Sequence, residues 1–377
     1  MRTSLYVHIP FCDEKCDYCD FYSLGSGSGY QKRDFIRVLI DHLAFFCEEF
    51  QIDEFPTVYI GGGTPTSLSS KLLEPLFAAI DACSKNSPIE WTLEVNPESL
   101  TRDHLSLFSS FPVSRISMGV QSLYEPSRKF IGRRGSIKAV LKAFDLLHDY
   151  WKGALSIDLI RGLSDNASLS LEDELSRLPL SSIQHLSLYD LTVEKGTPLS
   201  YRVRKSDPRL DNLPQSLKSS GFQHYEVSNY ARPGKESRHN QSYWDMEPYL
   251  GIGPGAVSLI RRNGLWMQHS VRRNLDYFLR RSPGECIETE SPSAAEFFID
   301  HLLMGFRQVK GLSLNRVQER FAQELSDIIP ETLSCWADNL SLDSAGDRLA
   351  LTGAAFWIQD RFFLDAWKEI DAALPFA

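Results

Sequence analysis

The chain has 377 residues, of which 42% are hydrophobic and 24% are charged, and its formal net charge is -9 at pH 7. The length suits two or three domains, and the composition is that of a folded globular protein rather than a fibrous or disordered one. The acidic balance argues against nucleic acid as the main partner. We find no run of about 18 apolar residues and no secretory signal in the opening "MRTSLYVHIPF". We therefore expect no transmembrane segment and a cytoplasmic location.

Between residue 5 and about residue 190, short β-like segments alternate with amphipathic helical segments. The predicted strands are 5–9, 57–60, 91–95, 115–120, 155–160 and 185–191. Alternation of this kind predicts right-handed crossovers and a parallel sheet. Six such units favour a partial (β/α)6 barrel, because a complete eight-unit barrel takes about 250 residues. In this α/β fold we expect the site at the carboxyl ends of the strands.

The composition changes after residue 200. Residues 225–258 are rich in Gly, Pro, Asn and aromatic residues, which is typical of an ordered loop region that lines a site. Helical spacing resumes near residue 290, with a short hairpin possible around "DRLALTG". We predict a barrel core over 1–235, an ordered loop region with an HNxxYW motif over 236–288, and a smaller, mostly helical C-terminal domain over 289–377.

Three of the seven cysteines are close together directly behind the first predicted strand. Cys12, Cys16 and Cys19 form a Cys-x3-Cys-x2-Cys pattern. Thiolates are soft ligands that suit zinc or iron–sulfur clusters. A closed zinc site needs a fourth ligand, for which His8 is the nearest candidate, whereas a 4Fe-4S cluster leaves one iron open. The pattern favours the cluster and leaves zinc as the alternative. The other cysteines are predicted to be small buried hydrophobic residues: Cys47, Cys83, Cys286 and Cys335.

A glycine-rich turn follows the second predicted strand. In "YIGGGTPT", three glycines precede Thr64 and the start of a helix. Glycine lets backbone groups approach a polar ligand closely, and a helix N-terminus favours an anionic group. Such a turn alone is a weak signal. Together with the cysteines at the end of the neighbouring strand, it indicates a cofactor site.

These motifs resemble the radical S-adenosylmethionine superfamily, in which S-adenosylmethionine chelates the open iron of a 4Fe-4S cluster. The segments "YVHIPFC", "KCDYCDF", "YIGGGTPT", "TLEVNPE", "RISMGVQSL", "IDLIRGL" and "SRHNQSYW" narrow the resemblance to oxygen-independent coproporphyrinogen oxidase and its relative, the HemW-type heme chaperone. The resemblance covers nearly the whole chain. It implies a radical-SAM barrel with a HemN-like C-terminal domain.

The resemblance also implies roles for single residues. Cys12, Cys16 and Cys19 would hold the cluster. The turn at Gly62, Gly63 and Thr64 would hold the methionyl end of S-adenosylmethionine. A charged acceptor such as Glu94 suits ribose hydroxyls or the ammonium group. Further positions match family residues that contact the ligand or flank the cluster: Tyr6, Tyr18, Gln121, Arg133 and Asp158. The structural alternatives are a solvated surface charge for Arg133 and a turn cap for Asp158.

Two features separate the branches of this family. Members that resemble the oxidase carry a further cysteine where this chain has Phe21, and they have a longer arm before the first cysteine, where this chain has eleven residues. Both differences favour the HemW-like branch. Its members are thought to bind heme and to pass it to an acceptor protein. Whether the chain is an enzyme stays open, because the cluster motif is intact but Phe21 and the short N-terminus disfavour oxidase activity. Reductive cleavage of S-adenosylmethionine, if it occurs, would need an electron donor such as flavodoxin or ferredoxin.

The HNxxYW segment offers a candidate heme site. His239 is an available axial ligand, Arg238 is near enough in sequence to meet a propionate, and Tyr243 and Trp244 offer a flat apolar surface. An isolated histidine among aromatic residues is more often a packing residue. At two positions where relatives commonly have histidine, the chain has Val257 and Gly135. Three hypotheses remain: a heme carrier, an anaerobic coproporphyrinogen decarboxylase, and a zinc-stabilised barrel.

Overall fold

A single large sheet organises the first three quarters of the molecule. The computed structural model describes residues 1–25, 27–133, 135–163, 170–203 and 215–374. The strands of the large sheet are β1 (Ser4–Ile9), β2 (Thr57–Gly62), β3 (Glu90–Val95), β4 (Arg115–Gln121), β5 (Ala154–Arg161), β6 (His185–Asp190), β7 (Gln223–Glu226), β8 (Asn229–Ala231), β9 (Tyr249–Ile252), β10 (Val257–Arg262), β11 (Leu265–Val271) and β12 (Ile287–Glu290). Their order is β12-β11-β10-β9-β1-β2-β3-β4-β5-β6-β8-β7.

The six central strands confirm the predicted parallel core. β1 to β6 lie side by side in chain order, and each neighbouring pair is parallel. Their interiors are almost continuously buried, as expected for a parallel sheet that is covered by helices. The carboxyl ends of all six strands therefore meet at one edge, where parallel-strand proteins place their sites.

Helices connect the strands and cover the sheet. They are α1 (Gly29–Glu49), α2 (Ser70–Cys83), α3 (Arg102–Ser110), α4 (Glu125–Phe130), α5 (Ile137–Tyr150), α6 (Leu171–Ser176), α7 (Gln215–Ser219), α8 (Arg238–Trp244) and α9 (Leu275–Arg280). The long helix α1 begins at a capping box, in which Ser28 accepts from the Gln31 N–H and the Gln31 side chain accepts from the Ser28 N–H. No helix within the described ranges is both long and apolar enough to cross a membrane.

The segment 236–288, predicted as an ordered loop region, differs from that prediction. It contains α8, α9 and four strands of the large sheet. β9 pairs in parallel with β1, and β10 and β11 form an antiparallel hairpin. The hairpin turns at Asn263 and Gly264, both with positive φ (51° and 86°), as in a two-residue type I′ loop. The Asn-Gly pair in "RRNGLW" is a hairpin signal that the composition of the segment masked.

The C-terminal part is mostly helical, as predicted. Its helices are α10 (Ala294–Phe306), α11 (Leu314–Phe321), α12 (Leu325–Ile328), α13 (Pro330–Cys335) and α14 (Gln359–Ala373), and its small sheet contains β13 (Leu312–Ser313), β14 (Leu340–Leu342) and β15 (Arg348–Leu351). β14 and β15 form the hairpin expected around "DRLALTG". A hydrophobic core over 295–374 is separate from the barrel core, which extends to Cys286. Two cores support a proposed boundary near residue 289.

Candidate functional site

The three clustered cysteines lie on the loop between β1 and α1, at the carboxyl end of the first strand. The loop closes on itself, because the Cys12 N–H donates to the Leu24 carbonyl (2.9 Å) and the Leu24 N–H donates to the Pro10 carbonyl (2.7 Å). Its middle is held from outside, where the Asp17 N–H donates to the Ile131 carbonyl (3.0 Å). The loop therefore presents its thiols from a backbone that is fixed at several points.

All three thiols are free and line one cavity. Burial raises the pKa of Cys12, and the hydroxyl of Thr64, 3.6 Å from its sulfur, opposes that shift. Burial also raises the pKa of Cys19. Within the described residues, no three His, Cys, Asp or Glu side chains are placed to hold a single metal ion.

The glycine turn packs directly against the cysteine loop. The Gly63 N–H donates to the Ile9 carbonyl (2.7 Å) and the Thr64 N–H donates to the Phe11 carbonyl (2.7 Å). A Cβ atom at Gly63 would lie 2.6 Å from the Phe11 carbonyl oxygen. Gly62 has a φ of +102°, and a Cβ there would meet the His8 ring at 2.4 Å. A side chain at Gly62 would collide with His8 on β1, and one at Gly63 would collide with the backbone before Cys12, so both positions require glycine.

Glu94 reaches the same turn from β3. Its carboxylate accepts from the Tyr59 hydroxyl (2.7 Å) and from the Gly62 N–H (3.1 Å). Burial raises the pKa of Glu94 to about 7, with a further contribution from Asp158. A carboxyl with this pKa changes charge near neutral pH and can accept hydrogen bonds from hydroxyl or ammonium donors once it is ionised.

Arg133 is a part of the site and not a solvated surface charge. One guanidinium nitrogen donates to the Asn96 side chain (2.8 Å) and the Gly119 carbonyl (2.7 Å), and another lies 3.7 Å from the Cys16 sulfur. Burial alone would lower the pKa of Arg133, but Cys16 and Glu98 raise it above its ordinary value. This cation therefore lies beside the cysteine loop, close to one of its sulfur atoms.

Gln121 and Asp158 line the cavity at the ends of β4 and β5. Gln121 is a non-glycine residue with a φ of +67°, at a bulge in the pairing of β4 with β5. Such backbone strain concentrates at functional sites. The Asp158 carboxylate accepts from the Ser117 hydroxyl (3.1 Å), and burial raises its pKa to about 6 against the opposing bonds from Ser187 and Ser117. It is not a turn cap.

Tyr6 and Tyr18 line the cavity on the side of the cysteines, as expected. The Tyr6 hydroxyl lies 3.0 Å from Nδ1 of His8, whose Nε2 lies 2.8 Å from the Tyr22 carbonyl oxygen. Burial raises the pKa of both tyrosines well above the ordinary value. Both ring nitrogens of His8 thus have a partner, one on β1 and one on the cysteine loop, which argues against His8 as a fourth zinc ligand.

The cavity measures about 920 Å³, and its lining combines a polar set and an apolar set of residues. The polar set, called here the polar side, contains the cysteines, the glycine turn and residues at the carboxyl ends of the parallel strands. The apolar and aromatic set, called here the apolar side, comes from α8, the segment after it, β9, β10 and α10: Tyr243, Trp244, Met246, Tyr249, Val257 and Met304. A volume near the upper end of the range for ligand sites leaves room for more than one small molecule.

His239 is not placed in this cavity, contrary to the expectation of an axial ligand. Its side chain is 1% exposed. Nδ1 lies 2.8 Å from the Thr57 hydroxyl and Nε2 lies 2.8 Å from the Tyr243 hydroxyl, so both ring nitrogens are engaged. Burial lowers the pKa of His239 to about 3. It packs α8 against β2 and orients Tyr243, whereas Arg238 is exposed and does not line the cavity.

The positions that depart from the family pattern are placed differently. Val257 lines the cavity, whereas at Gly135 a Cβ would meet a Glu98 carboxylate oxygen at 1.5 Å. Phe21 is 65% exposed at the cavity. The prediction that the scattered cysteines are buried holds fully for Cys286 but is wrong for Cys335, which is exposed. Cys47 and Cys83 are half-buried.

Several residues of the site were not predicted. Asn96 joins two predicted residues, because it donates to the Thr64 hydroxyl (2.8 Å) and accepts from Arg133. Its position directly after a predicted strand, in "TLEVNPE", is a signal that could have identified it. Tyr59 and Ser117 lie within strands, and only the tertiary structure shows that they hold Glu94 and Asp158.

The chain is similar to known proteins over its whole length. Residues 6–172 match the Radical SAM superfamily. Among curated relatives, the heme chaperone HemW of Lactococcus lactis is 30% identical over 375 residues, covering 96% of each chain. The heme chaperone HemW of Escherichia coli is 35% identical over 263 residues, covering 67% of this chain and 69% of the relative.

A solved structure shares the fold. Coproporphyrinogen III oxidase (HemN) from Escherichia coli superimposes with a TM-score of 0.78 at 18% identity, covering 98% of this chain and 90% of that one. At this identity the likeness establishes the architecture alone. The family match and the HemW relatives show that the chain belongs to the HemW-type family of the radical S-adenosylmethionine superfamily.

Proposed function

We propose that this chain is a heme chaperone that binds a 4Fe-4S cluster through Cys12, Cys16 and Cys19, binds S-adenosylmethionine beside it, and passes heme to an acceptor protein. The observation that carries the proposal is the cavity, whose lining combines three free thiols, a polar cradle and a set of apolar and aromatic side chains. The proposal includes a cytoplasmic location, and an electron donor such as flavodoxin or ferredoxin if cleavage occurs.

The thiols and their neighbours fit an iron–sulfur cluster. Three soft ligands on one fixed loop leave one coordination position free for a further ligand. The Arg133 guanidinium near Cys16 and the Thr64 hydroxyl near Cys12 provide a cation and a hydrogen-bond donor for thiolate charge. When bound, such a cluster supplies single electrons for reductive cleavage of a sulfonium.

The polar cradle fits S-adenosylmethionine. The turn at Gly62 and Gly63 leaves no space for side chains and brings backbone close to the cavity. Glu94 and Asp158 offer carboxylates with raised pKa values on the same side. We infer that Glu94 binds ribose hydroxyls or the ammonium group. Gln121, held at positive φ, is positioned to contact the same ligand.

The cluster assignment predicts a loss of iron that is specific to three cysteines. We expect the triple change Cys12→Ala, Cys16→Ala, Cys19→Ala to abolish iron and sulfide after anaerobic reconstitution. Cys335→Ala is the matched control, because this exposed cysteine lies outside the cavity. Full iron content in the triple variant would show that other residues hold the cluster.

The same preparation separates the chaperone from the oxidase. We expect the reconstituted chain to bind heme in a titration but not to restore anaerobic growth of a strain that lacks coproporphyrinogen oxidase. The exposed Phe21 at the cavity, in place of a further cysteine, motivates this expectation. Robust complementation would instead favour the oxygen-independent oxidase, which is the alternative function.

A further inference from the structure

The apolar side of the cavity suits a flat, hydrophobic ligand with anionic edges. Trp244, Met246, Tyr249 and Met304 form this side, and the exposed cations Arg273 and Lys15 also line the cavity. A porphyrin has an apolar face, which these side chains can cover, and carboxylate edges, which Arg273 and Lys15 can meet. This placement of heme rests on the proposed function. The next question is which atom of the protein coordinates the heme iron.

Histidine does not supply that atom in this structure. All nine histidines lie in described residues, and only His8 lines the cavity. Both nitrogens of His8 have partners, as do both nitrogens of His239. His301 on α10 has a buried Nε2 without a partner. Its Nδ1 accepts from Arg320 (3.1 Å), so Nε2 carries the proton and has no lone pair to offer.

The other donors near the wall are also unsuited. The Tyr243 hydroxyl is bonded to His239, and burial raises the pKa of Tyr249 to about 12, so neither forms a phenolate at neutral pH. The three cysteines also line the cavity, but they are assigned to the cluster. Thioether sulfur remains, and Met246 and Met304 provide it.

Met246 packs in a small hydrophobic cluster with Leu259 and Phe297 and has an unusual backbone conformation. It has a φ of +52° although it is not glycine, and its side chain is only 6% exposed. The preceding residue, Asp245, is fixed by Gln308 (2.9 Å) and Arg348 (3.2 Å). A strained backbone that is locked by its neighbours marks a position at which the direction of a side chain matters.

We propose that heme lies against the Trp244–Met246 wall and that the Met246 thioether is an axial ligand of its iron. His239 acts indirectly, by orienting Tyr243 on the same wall. Methionine serves as an axial heme ligand in other proteins. Its soft sulfur binds reduced iron better than oxidised iron, so the contribution of Met246 is greatest for ferrous heme.

The test compares Met246→Leu, Met267→Leu and Met304→Leu variants of the full chain by heme titration, with ferric and with dithionite-reduced heme. We expect Met246→Leu to weaken binding of ferrous heme at least about tenfold, which equals ~1.4 kcal/mol, and to change the iron spin state seen by magnetic circular dichroism. Met267→Leu, in β11 and outside the cavity, should match the wild type. Binding of S-adenosylmethionine should be unchanged in both variants.

Met246→His is a second variant that keeps the test decisive if the leucine variant folds poorly. Histidine tolerates positive φ better than most residues, and we expect its imidazole to give a bis-nitrogen or mono-imidazole spectrum at the same site. Wild-type spin state and affinity in Met246→Leu, or a change confined to Met304→Leu, would overturn the assignment. If the wild type binds no heme, the proposed function itself fails.

Discussion

At the scale of single residues, the site depends on close contacts between two loops that are far apart in the sequence. Gly63 lies where the glycine turn crosses the cysteine loop, and a Cβ there would be 2.6 Å from the Phe11 carbonyl and 2.7 Å from the Ile9 carbonyl. Phe11 directly precedes Cys12. A side chain at Gly63 therefore displaces the backbone that positions the first thiol.

We predict that Gly63→Ala reduces both cluster assembly and binding of S-adenosylmethionine. The added methyl group would collide with the backbone of the cysteine loop, so we expect it to disturb the cluster as well as the bound ligand. Iron and sulfide analysis with equilibrium binding of S-adenosylmethionine provides the measurement. Gly29→Ala in α1 is the control, since a Cβ there meets nothing within 4 Å. A full cluster with loss of the nucleotide alone would contradict the prediction.

At the scale of secondary-structure elements, the β7–β8 hairpin closes one edge of the large sheet and buries an acidic residue. Glu226 is 1% exposed, and its Oε1 has no hydrogen-bond partner in the structure. Its backbone bridges to Gln308, which follows α10. Burial raises the pKa of Glu226 to about 7, against opposing contributions from Ser228, Asn229 and Arg307.

This raised pKa predicts the sign of a pH effect. Between the ordinary pKa of about 4.5 and about 7, the folded chain holds a proton on Glu226 that the unfolded chain has released. The contribution of Glu226 to the stability of the folded chain is therefore complete below pH 4.5 and is lost as the pH rises through about 7. The shift is equivalent to up to about 3 kcal/mol.

We expect Glu226→Gln to flatten this part of the stability profile. The measurement is urea unfolding of ligand-free protein at several pH values between 5 and 8. Glu319→Gln, at an exposed position of α11, serves as the control. Other buried carboxyls, such as Glu94, contribute equally to the pH dependence of wild type and variant. The difference between their stability profiles therefore reports on Glu226 alone. An unchanged slope in Glu226→Gln would contradict the assignment.

At the scale of the whole molecule, a charge cluster joins the two hydrophobic cores. Asp245 follows α8 in the barrel part, and its carboxylate lies 3.2 Å from Arg348 and 3.3 Å from Lys310 of the C-terminal part. Its backbone carbonyl accepts from Arg316 (2.7 Å). Trp244 and Met246, on either side of Asp245, line the cavity. The C-terminal part therefore holds the apolar wall in place.

We predict that Asp245→Ala destabilises the protein by about 1–3 kcal/mol, because Gln308, Lys310 and Arg348 lose the carboxylate that they contact. Heme affinity should fall, whereas binding of S-adenosylmethionine beside the cysteines should persist. Urea denaturation and the two titrations test this. Glu49→Ala breaks only an exposed pair with Arg262 and is the control. Equal stability of the two variants would show that the cluster does not join the cores.

The sequence alone determined the parallel core and the chemistry of the polar side of the cavity. The spacing of apolar residues is a local property of the sequence, so six strands and their helices could be located to within a few residues. The cysteine spacing and the glycine turn lie at strand ends, and parallel strands necessarily bring their carboxyl ends together. Arg133 and Asp158 were assigned to the site by their match to family positions, before their contacts were known.

Only the tertiary structure decided the apolar side and the role of His239. The partner of its Nδ1, Thr57, is 182 positions away in the sequence, and no local pattern indicates which atoms a buried ring will meet. The same holds for segment 236–288, whose strands join the sheet through pairing with β1 at the opposite end of the chain. Met246 follows Asp245, whose ion pairs reach the C-terminal part, and it packs against Phe297 of α10. Such long-range contacts determine which side chains face the ligand, and composition or periodicity does not encode them individually.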